Sequence, residues 1–183
     1  VIYLDCDMMV RDPIEQLFDI DLEGFPLGAV RDSVHPFIVG KRDMMQNRDL
    51  FAYADPYFNS GMLLVDLTAW RALDMGAQVR ALADRGIMSR LYYDQDMLNL
   101  IFRNNWLALN WRWNTIDANA AHEGLNPAIF HYTRKSKPWG ILSGILHSSA
   151  HARFYRHVMT NELFYRFARH RWLRWWRKRL GLK

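Results

Sequence analysis

One stretch, Val1-Ile2-Tyr3-Leu4-Asp5-Cys6-Asp7, indicates both a fold and a site. An apolar run of strand length ends in two aspartates that are two positions apart. Because successive side chains of an extended segment point to opposite sides, Asp5 and Asp7 can face one point while Cys6 turns back into the protein. Two carboxylates that face one point repel each other unless a cation lies between them, and a hard divalent cation suits oxygen ligands. We therefore predict a buried strand at 1–4 with a metal site after it.

The apolar runs that follow alternate between strand length and helical spacing. We predict further strands at 26–30, 61–66, 107–109 and 128–132. We predict helices at 12–18 with Asp12 as N-cap, at 42–53, at 68–73 with Thr68 as N-cap, at 76–84, at 94–103 and from 143 onward, with 110–126 mostly loop. In the helix at 94–103, Met97, Leu98, Ile101 and Phe102 form the apolar side. Strands that alternate with helices predict an α/β fold.

Composition limits the class of protein. The 183 residues are half hydrophobic, which is enough apolar material for the core of one domain or most of one. Cys6 is the single cysteine, so no internal disulfide is possible, as is typical of proteins from a reducing compartment. No run approaches the roughly 18 consecutive apolar residues of a membrane-spanning helix.

The positive charge is concentrated in residues 166–183, which we call the basic tail. This segment holds eight of the 24 basic residues and none of the 19 acidic ones, so the rest of the chain is mildly acidic. Trp172, Trp175, Trp176 and Leu180 recur at helical spacing, and most of the cations lie elsewhere around the helix. Such a helix suits the surface of an anionic membrane. Packing of the tryptophans on the domain and nucleic-acid binding are the alternatives.

Polar clusters follow the predicted strands or begin the predicted helices at four places: residues 5–7, 57–61, 93–96 and 131–139. Each has an ordinary interpretation when taken alone. The sequence Asn59-Ser60-Gly61 is typical of a turn, and Asp94 is typical of a helix N-cap. His131 alone would suggest a buried histidine with satisfied hydrogen bonds, and the lysines after it a solvated loop.

Taken together and in order, the clusters resemble glycosyltransferase family 8, the retaining GT-A enzymes that include bacterial lipopolysaccharide galactosyl- and glucosyltransferases. The matching motifs are Tyr3-Leu4-Asp5-Cys6-Asp7-Met8, Tyr57-Phe58-Asn59-Ser60-Gly61 with the run after it, Tyr92-Tyr93-Asp94-Gln95-Asp96, Trp113-Asn114, and His131-Tyr132-Thr133 with Lys137-Pro138-Trp139. The resemblance implies a GT-A-like, Rossmann-related mixed sheet with flanking helices. Residues 1–145 would be the C-terminal part of that catalytic domain, and residues 146–183 a helical, basic, membrane-associating tail.

The same resemblance implies an enzyme that transfers a hexose, galactose or glucose, from a UDP-sugar. Asp5, Asp7 and His131 would be the metal ligands, and an imidazole among them favours Mn²⁺, with Mg²⁺ as the alternative. Lys137 would contact the diphosphate, where negative charge develops as the bond breaks. Arg134 occupies a position where the family pattern has Gly, so it would either add a phosphate contact or loosen the approach of the backbone.

The resemblance also assigns roles around the sugar. Asn59, Asp94 and Gln95 match positions at the transferred hexose, and Asp32 and Thr133 match positions near the acceptor. An amide such as Gln95 is a poor nucleophile, so we expect retention by front-face attack rather than by a covalent intermediate. We expect a glycolipid acceptor of the lipopolysaccharide type, an anionic membrane surface as partner of the basic tail, no nucleic acid, and a cytoplasmic location at the inner face of the cell membrane.

Two other classes stay open on the sequence. A carboxylate–metal phosphotransferase or hydrolase would use Asp5 and Asp7 but would not require the 94–96 cluster or the pair His131 and Lys137. An inactive membrane-associated fragment is the non-enzymatic alternative, because the family's first strands, which hold uracil and ribose, precede the Asp-x-Asp motif and are absent here. For the same reason we expect this chain alone to be poorly active and marginally stable, with the strand at 1–4 left without its partners.

Overall fold

The computed structural model describes residues 1–32, 49–51, 55–116, 120–133 and 160–182. The β-strands in these ranges are β1 (Ile2–Leu4), β2 (Met8–Val10), β3 (Leu27–Arg31), β4 (Phe58–Val65), β5 (Leu107–Leu109), β6 (Thr115–Ile116) and β7 (Ile129–His131). The α-helices are α1 (Leu67–Ala72), α2 (Met75–Asp84), α3 (Tyr93–Ile101) and α4 (Asn161–Arg179). Short 3-10 helices lie at Ile14–Leu17, Met88–Arg90, Trp111–Trp113 and Ala120–Leu125.

The strands form two mixed sheets. The first has the order β1-β4-β3-β5, in which β3 and β5 are parallel and the other neighbours are antiparallel. The second has the order β2-β7-β6, antiparallel at β2 and parallel at β6. The predicted α/β class with mixed sheets and flanking helices is therefore confirmed.

Strand β4 is the centre of the first sheet, and every one of its eight residues is buried. It begins three residues earlier than the apolar run predicts, so Asn59 and Ser60 lie inside a strand rather than in a turn. Phe58 pairs with Arg31 of β3 on one side. On the other side, the side-chain amide of Asn99 accepts a hydrogen bond from the Phe58 N–H and donates one to the Phe58 carbonyl, both at 2.8 Å. This amide satisfies the backbone of Phe58 much as a neighbouring strand would.

The two faces of β4 pack against different clusters. Leu63 and Val65 face one core, and Met62 and Leu64 face the other, as the strand period of two requires. The first core includes Leu27, Ala29, Phe58, Leu98, Phe102 and Trp106, with Met97 and Ile101 packed against it. The predicted apolar side of α3 therefore does face the core. The second core includes Leu17, Val30, Trp113, Ala128 and Ile129.

Strand β1 differs from the predicted buried strand. It lies at the edge of the described sheet, and Tyr3 is 46% exposed. It does have a partner, because Ile2, Tyr3 and Leu4 pair in antiparallel register with β4. The expectation that the strand is left without its partners therefore fails on the side of β4, whereas on its other side the described sheet has no further strand.

The two predicted N-caps are also wrong. Helix α1 is capped by Asp66, whose Oδ1 accepts hydrogen bonds from the backbone N–H groups of Thr68 at 2.7 Å and Ala69 at 3.0 Å. The cap is therefore two residues before Thr68. Asp12 caps no helix and instead forms an ion pair with Arg112, which is distant in sequence.

Helix α4 contains most of the basic tail. It begins after Thr160, whose hydroxyl accepts a hydrogen bond from the Leu163 N–H at 3.3 Å. The predicted helix at 42–53 and the residues from 143 to 159 lie outside the described ranges, apart from residues 49–51, which are not helical. Among the described residues, no helix combines the length and the apolar character that crossing a bilayer requires.

Candidate active site

Asp5, Asp7 and His131 converge where the two sheets meet. Each offers a ligand atom, and these atoms all lie within 4.8 Å of one another. His131 Nε2 is 3.2 Å from Asp7 Oδ1 and 3.7 Å from Asp5 Oδ2. The imidazole is buried at the end of β7, whereas the carboxylates are partly exposed, so the group opens toward solvent on the carboxylate side.

A turn, rather than an extended segment, brings the two carboxylates together. The Asp5 N–H donates to the Gly61 carbonyl at 2.8 Å, and the Tyr132 N–H donates to the Asp7 carbonyl at 3.0 Å. These two hydrogen bonds tie the turn to β4 on one side and to the residue after β7 on the other. Cys6 at its tip is exposed, so the prediction that Cys6 turns back into the protein is wrong.

Gly61 makes room for the histidine. A Cβ at this position would lie 2.2 Å from His131 Cε1 and 2.9 Å from Asp5 Oδ2, closer than real Cβ contacts allow. The side chains of this group can therefore approach the strand only because Gly61 has none. The glycine that reads as part of a turn in the sequence is a packing requirement of the site.

The donor set fits a hard or borderline divalent cation. Two carboxylates and one imidazole are ligands that Mn²⁺ accepts readily, whereas a site of oxygens alone would suit Mg²⁺ better. The space left by the missing side chain of Gly61 lets the imidazole edge lie beside the two carboxylates. The residues present could therefore hold such an ion without rearrangement of the strand.

A chain of buried amides runs inward from His131. Its Nδ1 lies 2.9 Å from Asn114 Oδ1, and Asn114 Nδ2 donates to Asn59 Oδ1 at 2.9 Å. Asn59 Nδ2 in turn donates to Gln95 Oε1 at 2.9 Å and to Asp32 Oδ2 at 3.3 Å. One of the three metal-binding candidates, His131, is therefore linked through Asn114 to the residues predicted to surround the sugar.

Gln95 is held from several sides. Its Oε1 also accepts from the Ser60 N–H at 3.2 Å, and its Nε2 donates to Asp32 Oδ2 at 3.2 Å and lies 3.3 Å from the Tyr57 hydroxyl. Tyr57 donates to Asp96 Oδ1 at 2.6 Å. Burial, and then the neighbouring Asp96 carboxylate, raise the pKa of Tyr57, so this hydroxyl stays protonated and remains a donor.

Tyr3 and Asp94 lie on the exposed side of the site. The Tyr3 hydroxyl donates to Asp5 Oδ1 at 2.8 Å, and this hydrogen bond, with some burial and the nearby carboxylates, raises the pKa of Tyr3 to about 12. Asp94 is one of those carboxylates. It is exposed in the first turn of α3, directly after Tyr93, which has a φ of 51° in the left-handed region. Such strain in a residue other than glycine is often found beside functional sites.

The structure brings together most of the residues predicted for the site. Asp32 is buried within the amide network, and Thr133 lies two residues after His131 at the end of β7. Arg134 and Lys137 lie outside the described residues, so their predicted diphosphate contacts stay predictions. Asp94 is exposed in the first turn of α3, on the side of the site where Tyr3 lies, rather than buried with the amides.

Sequence reasoning assigned no role to Asn114, which links His131 to Asn59. It lies in a stretch predicted to be mostly loop, yet it is 1% exposed and follows a short 3-10 helix. The available signal was the pair Trp113-Asn114, which matches the family motif without a stated role. The sequence likewise indicates Tyr57 only as part of a motif.

Comparisons with known proteins agree with this arrangement. The sequence profile described as "Glycosyl transferase family 8" matches residues 1–142. The chain is 31% identical over 144 residues to "Probable glycosyl transferase Gly" of Streptococcus gordonii, covering 75% of this chain and 19% of that protein. It is 28% identical over 156 residues to "Lipopolysaccharide 1,2-glucosyltransferase" of Escherichia coli, covering 76% of this chain and 44% of that protein.

Among solved structures, the chain resembles the galactosyltransferase LgtC in complex with donor and acceptor sugar analogues. The TM-score is 0.66 at 28% sequence identity, and the match covers 85% of this chain and 59% of that one. The chain thus spans less than two thirds of each of these three proteins.

Proposed function

Because the chain belongs to glycosyl transferase family 8, we propose that it carries the metal and sugar side of a retaining hexosyltransferase. The reaction would move galactose or glucose from a UDP-sugar to a hydroxyl of a glycolipid acceptor. The observation that carries this proposal is the convergence of Asp5, Asp7 and His131 at one end of a buried amide network.

The proposed metal ligands are Asp5, Asp7 and His131, and the proposed ion is Mn²⁺, with Mg²⁺ as the alternative. When bound, the ion supplies a Lewis acid that stabilises the negative charge of the departing diphosphate. The protein contributes a buried imidazole on one side and two partly exposed carboxylates on the other. We propose Lys137 and Arg134 as further contacts of the diphosphate, where a positive charge would act on the same oxygens.

Around the hexose, we propose Asn59, Gln95 and Asp94 as the residues of the reacting sugar. The amide of Gln95 already binds four groups of the protein, which suits a residue that is held rigidly rather than one that forms a covalent bond. We therefore propose front-face attack. The acceptor oxygen bonds to the anomeric carbon on the face from which the phosphate oxygen leaves, and the acceptor's proton passes to that phosphate oxygen.

The proposed acceptor is a glycolipid of the lipopolysaccharide type. One relative is named as a lipopolysaccharide glucosyltransferase, and another solved relative was captured with donor and acceptor sugar analogues. We propose that Asp32 and Thr133 lie toward the acceptor. A carboxylate such as Asp32 can accept hydrogen bonds from sugar hydroxyls as well as from Asn59 and Gln95.

A lipid-linked acceptor lies at a membrane, and the basic tail could hold the protein at that surface. In α4, Trp172, Trp175 and Trp176 are between 41% and 56% exposed, and Arg179 lies over the ring of Trp175 at 4.9 Å. Exposed indoles beside a dense row of cations suit the interface of an anionic bilayer. We propose that the tail rests on the inner face of the cell membrane, with the protein on the cytoplasmic side, and that nucleic acid is not its partner.

The test is Mn²⁺-dependent release of UDP from UDP-galactose and UDP-glucose in the presence of a lipopolysaccharide-type acceptor. It should be run on this chain and on the complete gene product, with Asp7→Asn as the inactive variant. Asp49→Asn is a matched control, because Asp49 is an exposed carboxylate that pairs with Arg90 outside the site. Absence of UDP release from both sugars by the complete gene product would overturn the proposal. UDP release without a glycosylated product would indicate hydrolysis of the donor instead.

A further inference from the structure

We propose that Asn114 is a positioning residue that fixes the tautomer of His131, so that the nitrogen presented to the metal is Nε2. The inference rests on the proposed metal site at Asp5, Asp7 and His131. It follows from the direction of the hydrogen bonds in the buried amide network. That direction is determined at Asn59, whose side-chain amide lies between the Gly61 N–H, which can only donate, and the Asp32 carboxylate, which can only accept.

The first fixed group is the backbone N–H of Gly61, which can only donate. It lies 3.0 Å from Asn59 Oδ1. At the other end of the same amide, Asn59 Nδ2 faces the Asp32 carboxylate oxygen at 3.3 Å and the Gln95 amide oxygen at 2.9 Å. Turning the Asn59 amide over would set two donors against each other at Gly61 and would bring its oxygen toward two acceptors. Its orientation is therefore determined.

The second step passes this orientation to Asn114. Because Asn59 Oδ1 is an acceptor, the Asn114 atom that lies 2.9 Å from it must be the nitrogen. The oxygen of Asn114 then faces His131 Nδ1, also at 2.9 Å. An amide oxygen can only accept, so Nδ1 must carry a proton.

The third step concerns the other ring nitrogen. In a neutral imidazole with its proton on Nδ1, Nε2 keeps its lone pair. This is the nitrogen that lies 3.2 Å from Asp7 Oδ1 and 3.7 Å from Asp5 Oδ2, on the side where a metal would bind. Hydrogen bonding of the remote nitrogen commonly orients metal-binding histidines in this way.

Burial makes this control effective. Asn114 is 1% exposed and His131 is 3% exposed, so water cannot readily replace the amide oxygen. Without it, the nearby Asp7 carboxylate would attract the ring proton to Nε2 and so occupy the nitrogen that the metal needs. Gly61 contributes twice, because its N–H orients Asn59 and its missing side chain makes room for the ring.

The test compares Asn114→Ala, Asn114→Asp and Asn99→Ala with the unmodified chain. Asn114→Asp keeps an oxygen acceptor for Nδ1–H. Asn99 is another buried amide, which is hydrogen-bonded to Phe58 and to the Gln95 carbonyl and is not the partner of His131 Nδ1, so Asn99→Ala controls for the loss of a buried amide. The readouts are the ring ¹⁵N shifts of His131 in the metal-free protein and the Mn²⁺ dissociation constant from electron paramagnetic resonance of free Mn²⁺.

We expect the proton on Nδ1 in the unmodified chain and in Asn114→Asp, and a shift toward Nε2 in Asn114→Ala. Mn²⁺ affinity should fall about 10- to 100-fold in Asn114→Ala, the range for loss of such an outer partner, and change little in the other two variants.

Equal affinity in folded Asn114→Ala, or an equal loss in Asn99→Ala, would overturn the inference. If Asn114→Ala does not fold, the unmodified chain decides, because a ring proton on Nε2 alone overturns it. Failure of the unmodified chain to bind Mn²⁺ overturns the proposed metal site, and the ring shifts still decide the role of Asn114.

Discussion

Gly61 shows how a single residue can determine the geometry of the site. The spacing of Asp5 and Asp7 indicates a cation site by itself, but the sequence indicates His131 as the third ligand only through the resemblance, because more than a hundred positions separate it from the two aspartates. Their convergence depends on strand β4, where Gly61 leaves space for the imidazole ring. A hydrogen in place of a side chain leaves no signal in sequence periodicity, which is why Gly61 reads as a turn residue.

Replacing Gly61 by alanine should disrupt the metal site. The new methyl group would lie 2.2 Å from His131 Cε1, so the ring must move away from Asp5 and Asp7. We expect Mn²⁺ affinity to fall at least about tenfold, as for other displaced metal ligands. The measurement is Mn²⁺ titration of the folded variant.

Gly76→Ala is the matched control. Gly76 lies in α2, where a Cβ would meet the end of the flexible Arg80 side chain at 3.2 Å and Asp74 Oδ1 at an ordinary contact distance of 3.4 Å. Alanine at a helical position should leave metal binding unchanged and stabilise the fold by up to about 1 kcal/mol. Equal Mn²⁺ affinity in Gly61→Ala and Gly76→Ala would contradict the role of Gly61 in making room for the His131 ring.

Tyr57 supports the site through its hydroxyl. Removing it in Tyr57→Phe deprives the buried Asp96 Oδ1 of its 2.6 Å donor. We expect the free energy of unfolding at neutral pH to fall by about 1–3 kcal/mol, the usual range for losing a buried hydrogen bond to a charged group. Chemical denaturation measures this, and Tyr93→Phe is the control, because Tyr93 is 75% exposed and its loss should cost less than about 0.5 kcal/mol.

The same tyrosine makes a prediction about alkaline pH. Its pKa in the folded state is raised above the ordinary value of 10.0, so folding favours the protonated hydroxyl. This contribution to stability is complete below pH 10.0 and is lost only as the pH rises through the raised value. In an ultraviolet titration, Tyr57→Phe should have one fewer tyrosine that ionises well above pH 10.0 than the unmodified chain has. A loss of amplitude near pH 10.0 in Tyr57→Phe, with the later part of the curve unchanged, would mean that Tyr57 ionises with the exposed tyrosines.

Strands were easier to predict than turns and caps. Apolar runs located β3, β4, β5 and β7 to within a few residues, because burial on both faces of a central strand produces an uninterrupted apolar sequence. The caps failed for a different reason. Asp12 has the sequence context of a cap but binds Arg112, which is a contact between distant segments that no local pattern contains.

Helix α1 allows the cap assignment to be tested. Asp66 Oδ1 binds two N–H groups at the start of the helix, so Asp66→Ala should destabilise the protein by about 1 kcal/mol. Thr68→Ala should change the stability by less than about 0.5 kcal/mol, because Thr68 lies inside the helix and its side chain is exposed. Thermal and chemical denaturation of the two variants measure the difference. A larger loss for Thr68→Ala would return the cap to the position that the sequence suggested.

At the scale of the whole molecule, the resemblance and its motif order predict most residues of the candidate site. They do not predict which hydrogen bonds hold these residues together. The amide network from His131 through Asn114 and Asn59 to Gln95 connects residues of β7, β4 and α3 with the residue that follows a short 3-10 helix. Asparagine and glutamine are common on surfaces, so their sequence gives no indication that they are buried. Only the packing of the two sheets around β4 shows that these amides must bind one another.

The basic tail predicts a salt-dependent association with membranes. Residues 166–183 carry eight cations and no acid, and the exposed indoles of Trp172, Trp175 and Trp176 can enter the interface. Each cation near an anionic surface contributes about 1 kcal/mol at ordinary ionic strength, and this attraction is screened by salt. We therefore expect the chain to co-sediment with vesicles that contain phosphatidylglycerol, to do so less at high salt, and to bind neutral vesicles weakly.

Removing the tail separates this interpretation from its alternatives. A chain that ends at residue 165 should lose most of its binding to anionic vesicles, whereas its Mn²⁺ affinity should be unchanged because Asp5, Asp7 and His131 all precede the tail and converge where the two sheets meet. Replacing Trp172, Trp175 and Trp176 by lysine tests the indoles separately. If charge alone caused binding, this variant would bind more tightly, but if the indoles enter the interface it should bind more weakly despite its added charge. Equal sedimentation with and without the tail would remove the membrane interpretation, and a loss of thermal stability in the truncated chain would favour packing of the tryptophans on the domain.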